Sequence, residues 1–441
     1  MPEAIANSHN GSFFSLSERS IAQRLQRWTA VGSIALIAAT WRLWTPQTVF
    51  PQVPAFEVLC LAPAWLDWIS LVSLLMGLVF LSLERSRRLE TCGSLLVLSS
   101  LLFFFCLDQH RFQPWAYQLG LFSAIWICCG LRLRLNLLKW LTVSIYFHSA
   151  LSKLDFEFLH SVGRQMLGVL IQIAGQDASV IPFSMQLAMV AAFPCIELAI
   201  AIGLTRSKTR RVAGLFAIGL HLILIFVLGP FGLGHRLGVL IWNALFAVQT
   251  YYLFVVHRIA QQDNSVLEQI DAPNLSSWRN KSMELVCIAL IALVVVMPVT
   301  ERFGLWDHWP SWALYAPHSS RVQVDIAAGS ISRLPPELAA LTKKPTDEAA
   351  DVDLGWVRVP IDAWSLKTLD APIYPQARFQ LGVARHVAKE VDAEFQVRVT
   401  ILGTANRLTG LRQWKTLDTS IQIAEASIAD YWFNSKPRTQ R

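Results

Sequence analysis

Between residues 28 and 300 the chain returns again and again to long apolar runs, and that pattern fixes the solvent in which most of it can fold. A helix crossing a bilayer needs about 20 mostly apolar residues, somewhat fewer when its ends are anchored. On that template nine spans are expected, at 28–44, 64–83, 91–107, 114–131, 137–153, 183–204, 212–229, 232–254 and 282–300. The stretch 46–63, with Pro46, Pro51, Pro54 and Pro63, reads as a connection. Residues 301–441 carry an ordinary mixture of Asp, Glu, Lys and Arg. The expected fold is therefore mostly α: a cytoplasmic N-terminal segment over 1–27, a polytopic helical membrane domain over 28–300, and a small soluble α+β domain over 301–441.

Composition agrees. Of the 441 residues 54% are hydrophobic and 16% charged, against about 25% charged in soluble chains, and the mean hydropathy is +0.41. The 17 Trp and 24 Phe suit a chain with two membrane interfaces. A net charge of +7 invites a nucleic-acid reading. Its Arg and Lys cluster at the ends of apolar runs, however, where topology requires them, so no nucleic-acid partner is expected. All seven Cys lie in or beside apolar runs without ligand spacing, so neither a disulfide framework nor a metal is expected. Residues 1–27 are polar and form no cleavable signal; Ser17 is placed to cap a short surface helix through Arg27.

The basic residues also orient the spans. One set of connections holds Arg19, Arg24 and Arg27, then Arg85, Arg87 and Arg88, then Arg132, Arg134 and Lys139, and further clusters at 206–211 and 258–281. The other set holds only Arg42, Arg111, Lys153, Arg164 and Arg236. By the positive-inside rule the rich set is cytoplasmic. The N-terminus is then inside, and the C-terminal domain lies outside an inner or plasma membrane. In that domain Ser320–Ala327 and Glu394–Leu402 read as strands, Gln376–Val391 as an amphipathic helix and Thr419–Ala424 as a third strand. Trp306, Trp309 and Trp312 are placed on the outer membrane surface.

Ionisable residues within spans are costly and mark candidate sites. In Tyr146-Phe-His-Ser-Ala-Leu-Ser-Lys-Leu-Asp155, Ser144, His148 and Ser152 share one helix face, while Tyr146, Ser149 and Lys153 share the next. Lys153 has two readings: a lysine reaching the headgroups and paired with Asp155, or a desolvated amine usable as a base. Glu197 and His221 fall on neighbouring spans and are expected to meet, either as a staple between helices or as a proton relay. Asp108 and Arg111 lie in an external turn, as a solvated reversal or as cavity residues. Asn243 follows a second, glycine-rich external turn, Gly229–Arg236.

The Tyr146–Asp155 segment resembles the part of vitamin K-dependent gamma-carboxylases that carries their catalytic lysine, with Lys153 on that lysine. The turn Leu107–Tyr117, and the succession Glu197, basic loop 206–211, His221, are similar to features of the same superfamily, the horizontally transferred transmembrane domain proteins. The likeness covers about residues 20–300. It implies a helical domain with an outward-facing cavity, a reduced quinone as cofactor, and Lys153 as the base that starts glutamate carboxylation on a secreted peptide. Ala150, Ser152 and Phe158 depart from the family pattern, and the external domain is shorter than its peptide-binding counterpart. Three readings stand: a quinone-dependent membrane enzyme, a non-catalytic maturation or binding protein, and a transporter with His148, Lys153, Glu197 and His221 along its path.

Overall fold

The computed structural model describes residues 18–83, 86–256, 278–342, 355–392, 394–429 and 431–439. Ten long helices form its first part: α1 (Glu18–Ala39), α2 (Trp65–Leu83), α3 (Arg87–Leu107), α4 (Pro114–Cys128), α5 (Leu131–Lys153), α6 (Val162–Ile173), α7 (Phe183–Thr205), α8 (Arg210–Leu228), α9 (Leu237–Thr250) and α10 (Trp278–Val296). Six are long and apolar enough to cross a membrane, namely α2, α3, α7, α8, α9 with its continuation to Val256, and α10 with the turn that follows it. The chain is thus a helical integral membrane protein. The remaining apolar runs, 28–44, 114–131 and 137–153, are also helical, as parts of α1, α4 and α5. Of these, α4 has only 15 residues and is buried along most of its length, while the first turns of α5 carry Arg132, Arg134 and Lys139.

Local chemistry sets several boundaries. Pro114 occupies the first turn of α4, where its missing N–H costs nothing. Ser86 caps α3 by accepting from the Leu89 N–H at 3.3 Å. Helices α2 and α3 pack closely because Gly77 and Gly93 face each other; a Cβ on either would stand 2.8 Å from the other's carbonyl oxygen. At the N-terminus no separate surface helix ends at Arg27: α1 is continuous from Glu18 to Ala39. Its expected cap, Ser17, lies outside the described residues.

The C-terminal part is a four-stranded antiparallel sheet of order β2-β1-β3-β4, from β1 (Arg321–Ala327), β2 (Trp356–Val359), β3 (Val397–Leu402) and β4 (Trp414–Leu417). Along β1 alternate residues Val322, Val324 and Ile326 turn inward. Helix α12 (Ala377–Val391) covers them, with α11 (Ile361–Leu369) and α13 (Ser420–Ala429) beside it. The expected third strand at 419–424 is instead the start of α13. The reason is local: in Thr419-Ser-Ile-Gln422 the threonine hydroxyl accepts from the Gln422 N–H at 3.1 Å, and the Gln422 side chain accepts from the Asp418 N–H at 2.9 Å. Such reciprocal capping starts a helix and overrides the apolar–polar alternation.

The sheet domain is docked on the helices, and one hydrophobic core runs through both. It covers the ends that carry the charge-poor turns. Arg407 donates to the Leu154 and Leu151 carbonyls at 2.8 and 2.6 Å, Arg378 to Gln109 at 2.6 Å, and His110 to the Pro372 carbonyl at 2.8 Å. Residues 431–439 return to the Pro-rich connection, where Asn434 and Arg438 extend backbone hydrogen bonds to Ala55 and Gln52. Trp309 and Trp312 do not rest on a membrane surface; at 9% and 0% exposure they are wedged into this junction.

Candidate functional site

A cavity of about 610 Å³ lies between α5, α7, α8 and α9. Its polar end gathers Tyr146, Ser149, Lys153, Glu197, His221 and Asn243. The rest is apolar, and toward α7 and α8 it is bordered by Ile196, Val212, Leu215, Phe216 and Ile223, each more than half exposed. Because α7 and α8 are membrane-length helices, the cavity is reached from the side that faces lipid.

Lys153 ends α5 and is buried, at 7% exposure. Its ammonium donates to Glu197 at 2.6 Å and to the Ser149 hydroxyl and carbonyl at 2.5 and 3.3 Å, which uses all three N–H groups. Glu197 stands 14 residues from the start of α7 and 8 from its end, roughly 21 and 12 Å at helical rise. Glu197 therefore lies within the membrane-length helix α7 rather than at either of its ends. Asp155 is not its partner: that carboxylate is buried, accepts from Arg302 at 2.6 Å and caps the short helix Phe156–His160.

Glu197 and His221 share the cavity but do not pair. His221 lies between Tyr146 and Asn243. The Asn243 amide donates to the Val239 carbonyl at 2.9 Å, so its oxygen must accept from His221 Nδ1 at 3.0 Å. Nε2 is then a bare acceptor for the Tyr146 hydroxyl at 2.7 Å. Both nitrogens of a neutral ring are used, which makes His221 a staple across α5, α8 and α9. The Tyr315 hydroxyl closes the chain, 3.4 Å from the Asn243 amide.

His148 faces away from the cavity and bonds the Val295 carbonyl at 2.8 Å. Asp108 and Arg111 are not solvated; they are buried at 1% and 0% exposure beneath the docked domain. Arg111 is ion-paired with Asp67 and donates to the Leu43 and Thr45 carbonyls at 2.8 and 3.0 Å. Asp67 also takes Arg438 at 2.8 Å. Asp108 accepts the N–H groups of Val53 and His110. Burial pushes its carboxyl up to about 6, against the pull of Arg111 and these two bonds.

Two groupings escape a reading of the sequence. One is the Asp67–Arg111–Arg438 cluster, whose members lie 44 and 327 residues apart. The other is Glu301, His308 and His318, with ligand-type atoms within 4.8 Å of one another. Their spacing fits no contiguous motif, and only the fold of the 301–318 segment shows them together.

In comparisons with models of known families, with curated proteins and with solved structures, nothing matches this chain. The fold and site define a class, a helical membrane protein with a docked α+β domain and a lipid-side cavity.

Proposed function

We propose that the protein is a nine-span membrane protein with a cytoplasmic N-terminus and an external sheet domain, and that it carries out acid–base chemistry on a lipophilic ligand at Lys153 and Glu197. The observation behind this reading is an ion pair with side chains at most 13% exposed, its lysine using all three N–H groups, at the polar end of an apolar cavity that borders lipid. Desolvating two charges is expensive, and cavities with a few convergent polar groups are the usual form of a small-molecule site.

A reduced quinone fits the residues present: the apolar walls suit its ring and tail, and the polar end suits a ring hydroxyl. When bound, such a group would supply an acidic hydroxyl and reducing equivalents for oxygen. Glu197 would accept the hydroxyl proton, with Lys153 holding the carboxylate in place and stabilising the oxyanion by its positive charge. This differs from the lysine base that the sequence suggests: Lys153 sits against a carboxylate, and that carboxylate takes the role of proton acceptor. Tyr146 and Asn243, fixed through His221, would orient the head group. Glutamate carboxylation on a secreted peptide is the family-implied extension. Transport is the weaker reading, since His148, one of the residues along its path, bonds Val295 outside the cavity wall.

The test is epoxide formation from added hydroquinone and oxygen by the purified protein. Wild type is expected to be active and the Lys153→Met/Glu197→Gln double variant inactive. Equal rates would remove the pair from the chemistry.

A further inference from the structure

Glu301, His308 and His318 lie where the last membrane helix meets the sheet domain, and all three side chains are at most 9% exposed. Glu301 Oε1 is 2.8 Å from His308 Nδ1, and Oε2 is 3.1 Å from His318 Nε2. The other nitrogen of His308, Nε2, is 2.9 Å from the Ala316 carbonyl. A carbonyl only accepts, so Nε2 carries the proton. In a neutral ring Nδ1 is then a bare lone pair, pointed at a carboxylate oxygen. Two acceptors in contact need a cation between them, either a proton or a metal. A backbone carbonyl on the far nitrogen is also the usual way a metal-ligating histidine is oriented. Among the described residues the His318 ring has one hydrogen-bond partner, Glu301, and its Nδ1 is buried without one.

The backbone nearby supplies a second observation. Trp312 and Tyr315, neither of them glycine, sit at φ 58° and 60°, a costly conformation that persists only where the surroundings over-determine it. Both lie between His308 and His318.

We propose that Glu301, His308 and His318 form a divalent metal site, with zinc the ion of best fit, that staples the 301–318 segment. Two histidines and a carboxylate are a known zinc ligand set, with a fourth position for water. Zinc bonds of about 2.1 Å in tetrahedral geometry hold ligand atoms roughly 3.4 Å apart. The two Glu301–histidine contacts, at 2.8 and 3.1 Å, would open by a few tenths of an ångström, and the two histidine nitrogens, within 4.8 Å of each other, would settle to the same spacing. Leu314 and Tyr315, carried by the same segment, line the cavity, so the ion would fix the cavity's edge from outside the reacting groups.

The experiment uses the full chain in detergent, stripped with a chelator and then given zinc or cobalt(II) chloride. Expected are about one tightly held zinc per chain, the visible spectrum of four-coordinate cobalt, and a higher melting temperature with metal. His308→Gln and His318→Gln should each lose the cobalt spectrum and the metal-dependent rise. Lys153→Met/Glu197→Gln should keep both, which separates this site from the cavity chemistry. Wild-type protein that holds no zinc and gives no cobalt spectrum, or variants that bind as wild type does, would overturn the proposal and leave a hydrogen-bonded His–Glu–His cluster.

Discussion

Two clusters of buried charge in this molecule look alike by composition and differ in what adjoins them. At the junction with the sheet domain, Asp67 is flanked by Arg111 and Arg438, with side chains at most 5% exposed, and none of the three lines the cavity between the helices. Within the helices, Lys153 and Glu197 are as tightly paired, but they border about 610 Å³ of apolar space. Burial and charge do not by themselves mark a site. The first cluster is buried and holds two parts of the chain together; the second presents its charges to room for a ligand.

The contrast is tested most severely by deleting one charge from each. Arg111→Met leaves Asp67 with one cation and strips donors from the Leu43 and Thr45 carbonyls. The expected loss is about 3–5 kcal/mol, read by denaturation in detergent, and Asp67→Asn added to it should restore little. Lys153→Met strands Glu197 at a comparable cost, but here the double variant with Glu197→Gln should recover most of the stability, because the other acceptors of Lys153 are on Ser149, one turn back in its own helix. Recovery at the junction and none at the cavity would reverse the assignment.

A smaller effect is expected from Tyr146→Phe, which removes the donor to His221 Nε2 and leaves that nitrogen buried and unbonded. The cost should be about 1–3 kcal/mol, with ligand affinity lowered through the loosened His221 and Asn243. A melting temperature equal to wild type would mean that water replaces the hydroxyl.

The smallest effect concerns pH at the junction. Burial lowers His110 from 6.5 to about 4. Between those values the unfolded chain takes up a proton that the folded chain refuses, so stability falls as pH drops through that window. Asp108, raised from 3.8 to about 6, acts oppositely, since the folded chain holds a proton that the unfolded chain has lost. The two offset each other between about pH 4 and 6. His110→Gln removes the first contribution, so that variant should gain stability on acidification across the window where wild type changes little. A loss on acidification equal to or greater than wild type's would contradict the burial argument.

Much of this was legible in the sequence because lipid imposes a simple rule. All nine apolar runs are helical and six of them are long and apolar enough to cross a membrane, as expected where backbone groups in hydrocarbon must bond within their own segment. Helix periodicity put Tyr146, Ser149 and Lys153 on one face, and they do line one cavity. Partners were harder to read. Lys153 ends its helix, so an interfacial position followed from spacing. The register of α5 against α7 instead sets it beside Glu197, and that register depends on tertiary packing. His221 found Tyr146 and Asn243 rather than Glu197 for the same reason. In the sheet domain β1, β3 and α12 had clear periods, but β2 and β4 are four residues each, too short to show one. The Thr419–Gln422 capping pair was visible in the residues and outweighed an alternation of similar length.

The central claim is that the cavity beside Lys153 and Glu197 holds a lipophilic ligand. Gly219 lines the cavity, and a Cβ there would meet nothing within 4 Å, so Gly219→Phe should fill the space without disturbing the helices. The direct measurement is mass spectrometry of organic extracts from wild-type and Gly219→Phe protein purified in parallel. A quinone-class lipid bound to wild type and missing from a variant of unchanged melting temperature is the expected result. The same lipid content in both proteins, or none of that class in wild type, would contradict it.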